Sequence, residues 1–176
     1  LSVFLGKNDS RNRKENLVRL SMQNLFLNNI LRDQIDEKEI MEFLEFTPII
    51  RWVHLRQYLP KNSKLLGFID RKISEIPNQV KNFRFLFGIY SKLKNFLSPS
   101  HDYFANLNFL LMFINLDEIN YSYLVHFYKD CNAETISYIN FKKISDYLIQ
   151  QDIKNEQMVI DKIEKFMKYY QTNKLI

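Results

Sequence analysis

The sequence predicts an all-α protein of about nine helices packed as consecutive antiparallel helical hairpins, either an irregular bundle or a short α-solenoid. Three observations lead there. Gly (3) and Pro (4) together supply only 7 of 176 residues, about a third of ordinary usage. That is too few for the tight turns of a sandwich or barrel and for the glycine-rich phosphate loop of a Rossmann sheet. Apolar residues recur at helical spacing along nearly the whole chain. Only Thr135–Asn140 (TISYIN) approaches the alternation of a strand.

Taken in order, residues 1–13 read as a basic leader and residues 14–176 as a single all-helical domain. Asn12 and Glu15 form a capping-box pattern, followed by a helix over Lys14–Ile30 with Leu17, Leu20, Leu27 and Leu31 on one stripe. Asp36 and Glu39 start a second helix whose inner face is Ile40, Phe43, Leu44 and Thr47; Pro48 ends it. Ile49–Leu59 is a third, with Ile49, Trp52, Val53 and Leu55 inward and Pro60 after it. Ser63 caps a helix running to Ile76, stopped by Pro77. Asn78–Leu97 is dense in aromatics: Phe83, Phe85, Phe87, Tyr90 and Phe96. Ser98 and Pro99 signal the next start, since Pro suits a first helical position. That helix runs to Ile114, with Phe104, Leu107, Leu110, Leu111 and Ile114 inward. Asp117 opens a helix containing Tyr121, Leu124, Val125 and Tyr128, and two more fit Tyr138–Gln151 and Lys154–Tyr170. Short connectors then predict antiparallel neighbours.

Composition removes several classes of function. One cysteine, Cys131, permits no internal disulfide. The longest nearly apolar run, Leu107–Ile114 (LNFLLMFI), is interrupted by Asn108 and falls far short of the ~20 residues of a membrane span. The opening LSVFLGK has no initiator Met and is too short for a signal peptide, which predicts a processed or trimmed start. The net charge of +5 suits an anionic partner without demanding one. Residue usage is skewed: 84 residues are Phe, Tyr, Met, Ile, Asn or Lys, against 17 Gly, Ala, Arg or Pro. With only 2 Ala in a helical chain, although Ala is the best helix former, an A/T-biased genome is the simplest cause.

No phosphate loop, GxGxxG, HExxH or GxSxG is present. His54, His101 and His126 lack metal-ligand spacing, and Asp36, Glu37, Glu39, Glu42 and Glu45 read as a solvated acidic face. Cys131 reads as an unreactive helix-end residue. The expectation is therefore no catalysis, no cofactor and no metal.

Two local patterns resemble known families. Ile35–Ile40 and Ile136–Phe141 each place an apolar residue and a capping residue before a helix, as does Leu97–His101. Preceded by YLVHFYKDCNAET, the Ile136 segment resembles the second half of an EF-hand. With Ile136 at loop position 8, Lys129, Cys131 and Ala133 occupy ligand positions, Glu134 the glycine position and Asn140 the glutamate position. With Ile35 there, the ligand positions hold Asn28, Ile30 and Arg32, although Glu39 is correct at the last. The resemblance thus implies a degenerate, non-calcium-binding helix–loop–helix. The echo between Arg71-Lys72-Ile73-Ser74-Glu75 and Lys142-Lys143-Ile144-Ser145-Asp146 instead resembles mitochondrial helical-repeat RNA-binding proteins of the pentatricopeptide-like kind, which implies stacked hairpins and RNA contact.

The functional expectation is a non-catalytic structural subunit of a large assembly, a mitochondrial ribosome component in first place. Arg11, Arg13, Lys14, Arg19, Arg71, Lys72, Lys142 and Lys143 would contact ribosomal RNA phosphates. Other protein subunits would be its neighbours, with Tyr169 and Tyr170 as exposed contacts. A soluble accessory subunit of a respiratory or ATP-synthase complex and a degenerate calmodulin-like adaptor clasping a partner helix are the alternatives.

Overall fold

The computed structural model describes residues 49–79, 82–151 and 155–176, together with residue 38. These residues are predominantly helical, with no strand among them. The helices expected over 14–47, the EF-hand-like segment at Ile35 and the boundary after residue 13 lie outside the described residues. Contacts divide the chain into two compact units, Leu1–Ile73 and Ser74–Ile176.

The described part of the first unit contains α1 (Ile49–Tyr58) and α2, which runs Lys64–Ser74 and ends at the unit boundary. Pro60 follows α1, as the sequence requires. The Ser63 hydroxyl accepts from the Leu65 N–H at 3.3 Å and caps α2. Leu65, Ile69 and Ile73, spaced one helical turn apart, are buried, as are Val53, Leu55 and Leu59. Arg56 Nε meets Asp70 Oδ1 at 2.5 Å and ties the two helices.

The second unit opens with the four-residue helix α3 (Ile76–Gln79). Pro77 sits inside its first turn, where the missing N–H costs nothing. The preceding helix therefore ends two residues earlier than Pro77's position predicts. Next come α4 (Phe83–Phe96), α5 (Asp102–Phe113), a 3₁₀ turn (Leu116–Glu118), α6 (Tyr121–Asp130), α7 (Tyr138–Gln151) and α8 (Glu156–Thr172). Asn82, Asn115 and Asn120 cap their elements with side-chain oxygens. His101 caps α5, its Nδ1 accepting from the Tyr103 N–H at 3.0 Å. The helix consequently starts at Asp102 and not at Pro99.

Within this unit α4 packs on α6, α5 on α7 and on α3, and α7 on α8. Three of these pairings skip a helix in sequence. The core between them is built from rings. Phe87 stacks on Phe127 at 4.2 Å between centroids, Tyr128 on Phe141 at 5.5 Å, and Phe141 meets Phe166 at 4.3 Å.

Candidate interaction surface

The connection between α6 and α7, residues 131–137, is held by polar side chains from three helices, and a fourth braces one of them. From α4, Tyr90 Oη accepts from the Asn132 N–H at 2.8 Å and lies 2.7 Å from Thr135 Oγ1. The Thr135 hydroxyl donates to Asn132 O at 3.1 Å, so the Tyr90 hydroxyl donates to Thr135. From α5, Asn108 Nδ2 donates to Thr135 O at 2.8 Å, and its Oδ1 accepts from the Ser137 N–H at 2.9 Å. From α7, Asn140 Nδ2 donates to Asn108 O at 2.7 Å and Oδ1 at 3.0 Å. From α8, the Tyr170 hydroxyl donates to Ile136 O at 2.7 Å. A loop whose backbone groups are bonded in this way is a rigid hub.

Burial pushes the phenols of Tyr90, Tyr103, Tyr128 and Tyr170 above their ordinary range. Each hydroxyl has a hydrogen-bond partner inside the fold. Tyr170, expected at the surface as a partner contact, is 1% exposed and belongs to the core. The stripe Val159, Phe166, Tyr170 explains this: it is the inner face of α8. Tyr169 beside it is only half-buried.

Cys131 ends α6, as the sequence predicts. Its thiol is buried, donates to Tyr128 O at 3.1 Å and is pushed by burial from the ordinary 9.0 to about 12. The thiolate is the reactive form, so alkylation of the native protein near pH 8 should run on the order of a thousandfold slower than that of an unfolded chain. Iodoacetamide labelling with and without urea, read by mass spectrometry, checks this; equal rates would place the sulfur outside the core.

Of the sequence-predicted phosphate contacts, Arg71 and Lys72 belong to the first unit and Lys142 and Lys143 to the second. Arg11, Arg13, Lys14 and Arg19 lie outside the described residues. Arg71 and Lys72 fall in the last turn of α2, with Lys72 Nζ 6.0 Å from the centroid of the Phe68 ring. Lys142 is paired with Asp146 on its own helix at 2.9 Å, which raises its pKa. The Lys143 ammonium donates to Leu111 O at 2.8 Å, Met112 O at 3.4 Å and Ile114 O at 2.5 Å. It thereby caps the C-terminal end of α5, whose last carbonyls have no helical partner. Lys94 and Lys162 treat α6 alike, donating to Asp130 O and Lys129 O, each at 2.7 Å. Burial alone would raise the Asp130 carboxyl. Hydrogen bonds from Lys94 and Ser91 outweigh it and hold the group below its usual value.

At the loop positions compared with a calcium site, Cys131 faces the core and Asn140 binds Asn108. Among the described residues no group of His, Cys, Asp and Glu is disposed to hold a metal ion. Also among them, no helix is long and apolar enough to cross a membrane.

The fold leaves one side of α5 outside, and that side is apolar. On α5 the inner stripe is Tyr103, Phe104, Leu107 and Leu111. On its other side Phe109 is 61% exposed, Met112 42% and Phe113 70%. The Phe109 and Phe113 rings, one turn apart, meet edge to face at 4.9 Å between centroids. They flank a groove completed by Pro77, Phe83, Leu110 and Ile114, with Asn78, Asn115 and Glu118 on its rim. The cause is legible in LNFLLMFI: a helix apolar all round has more greasy surface than one core face can cover. Leu110 and Ile114, expected inward, line this groove instead. Searches against known protein families, characterised proteins and solved structures give no match to this chain.

Proposed function

We propose that the chain is a non-catalytic structural subunit that docks into a larger assembly through the outer face of α5. One observation carries the reading. Two adjacent phenylalanines stand well over half exposed beside an apolar groove, and a contiguous apolar patch of this kind on a folded surface marks an interaction site. The buried hydroxyls and the thiol support it from the other side, because each is engaged in packing and hydrogen bonding. Within this reading the A/T-type residue usage and the basic stretch Arg11–Lys14 favour a mitochondrial ribosomal assembly.

Sedimentation of the tagged chain from its own cells tests this. The wild type should travel with a large particle, and the double change Phe109→Ser with Phe113→Ser should release it to the top of the gradient while circular dichroism stays helical. Ribonuclease should disperse the particle if it is ribosomal. Co-sedimentation that ignores both substitutions would refute docking through α5.

A further inference from the structure

We infer that the α5 groove takes one short amphipathic helix that carries an apolar pair one turn apart and a basic residue beside it. This deepens the reading of α5 as the docking face and rests on it. The choice of occupant follows from four features of the surface.

The size is wrong for a second copy of the chain. With about 200 Å² for a fully exposed aromatic side chain, Phe109 at 61% and Phe113 at 70% offer roughly 260 Å² between them. A stable dimer needs about 800 Å² from each partner. Two or three anchoring side chains on a single helix are the scale that fits.

An extended peptide finds nothing to pair with. Along α5 the backbone groups are bonded within the helix, and its terminal carbonyls already receive the Lys143 ammonium. Strand addition needs a free row of N–H and C=O groups, whereas a helix, self-satisfied in its own backbone, needs only side-chain contact.

The shape matches a helical repeat. Phe109 and Phe113 are four residues apart and adjacent in space, and the cleft beside them is lined by Leu110 and Ile114 with the same spacing. Side chains at i and i+3 or i+4 on an incoming helix fall at that interval.

The charge is of one sign. Among the described residues no Lys or Arg lines the groove; Glu118 is the one ionised lining residue among them and is exposed, with exposed Asp117 next to it on the same 3₁₀ turn. A Lys or Arg on the partner would find its counter-charge there. The chain carries +5 overall, so the attraction of a basic helix to this end is a local effect of these two carboxylates.

The probes are two synthetic 16-residue helical peptides with one hydrophobic pattern, one built of Leu and Lys, the other of Leu and Glu. Binding to the full chain is read by fluorescence anisotropy, with sedimentation equilibrium of the chain alone. The Leu/Lys peptide should bind at least about tenfold tighter than the Leu/Glu peptide. Phe113→Asp, a change at an exposed site, should weaken it by a further tenfold or more, with Phe109→Asp as the independent second variant. Glu118→Lys should narrow or reverse the preference. Equal binding of both peptides that is lost in Phe113→Asp would overturn the basic partner and leave α5 as a docking face. Peptide binding indifferent to both phenylalanine variants, or no binding, would overturn the inference; a dimer that Phe113→Asp dissociates would replace it with self-association.

Discussion

Asn108→Ala should cost about 2–3 kcal/mol and loosen the residues between α6 and α7 before anything else melts. The side chain ties α5 to that connection by two bonds and to α7 by a third. It donates to Thr135 O, accepts from the Ser137 N–H and accepts from Asn140 Nδ2. At about 1 kcal/mol for each intramolecular hydrogen bond, the loss is a large fraction of an ordinary domain's stability. Asn140 keeps one partner, the Asn108 backbone carbonyl at 2.7 Å, which limits the damage at α7. Amide hydrogen exchange should accelerate first at residues 131–137 in the variant. Uniform acceleration over the whole unit would contradict a local hub. Asn108→Asp separates the two halves of the amide. Its oxygens can still accept, but the donor to Thr135 O is gone while the carboxyl is ionised. Protonation restores that donor in the folded state alone, so the folded pKa lies above the unfolded one. The recovered stability is full below the unfolded value of about 3.9 and disappears as pH rises through the folded pKa. Asn108→Asp should thus gain on wild type as the solution is acidified, whereas Asn108→Ala should not.

Asn108 also shows where reading the chain residue by residue stops. In LNFLLMFI it interrupts an apolar run, and its polarity identifies it as out of place. Nothing local says that its partners sit 27 to 32 positions later. Features set by neighbours in sequence are legible. Tyr138–Gln151 forms the helix expected, α1 ends within a residue of the expected point, and Ser63 and Cys131 occupy the predicted ends. Local chemistry decides those. The start of α5 moves three residues because an imidazole replaces the usual hydroxyl or carboxamide cap. Lys143 is misleading for a deeper reason. Beside Lys142 it looks like half of a phosphate-binding pair, yet its ammonium is committed to a helix end some 30 residues away. The exposed phenylalanines follow the same logic: the sequence shows that α5 is apolar all round, and only the packing of α3 and α7 decides which side stays bare.

The largest loss of stability is expected at Phe141. Its ring is 2% exposed and lies at the meeting point of α6, α7 and α8. It stacks on Tyr128 at 5.5 Å and 9° between planes, and reaches Phe166 at 4.3 Å and Tyr170 at 6.1 Å. Phe141→Ala removes the ring and leaves a cavity whose walls are other aromatics, two of them pinned against collapsing inward. Tyr128 is held through its hydroxyl by Ser145, and Tyr170 by Ile136 O. A site that cannot relax pays the upper part of the range for buried aromatic truncation, about 3–5 kcal/mol. Phe141→Leu keeps most of the volume and should cost less than half as much. Urea unfolding followed through the tyrosine near-UV band checks the pair, because nine of the ten tyrosines lie in Ser74–Ile176. At about 1–3 kcal/mol per molar urea, the Ala variant should unfold well over 1 M earlier than wild type. It should also lose the near-UV signal before its helicity, since the rings that hold Tyr128 and Tyr170 in fixed orientation will have lost their common neighbour. A midpoint within error of wild type would mean that the three helices are held together elsewhere, and that the ring cluster is filler.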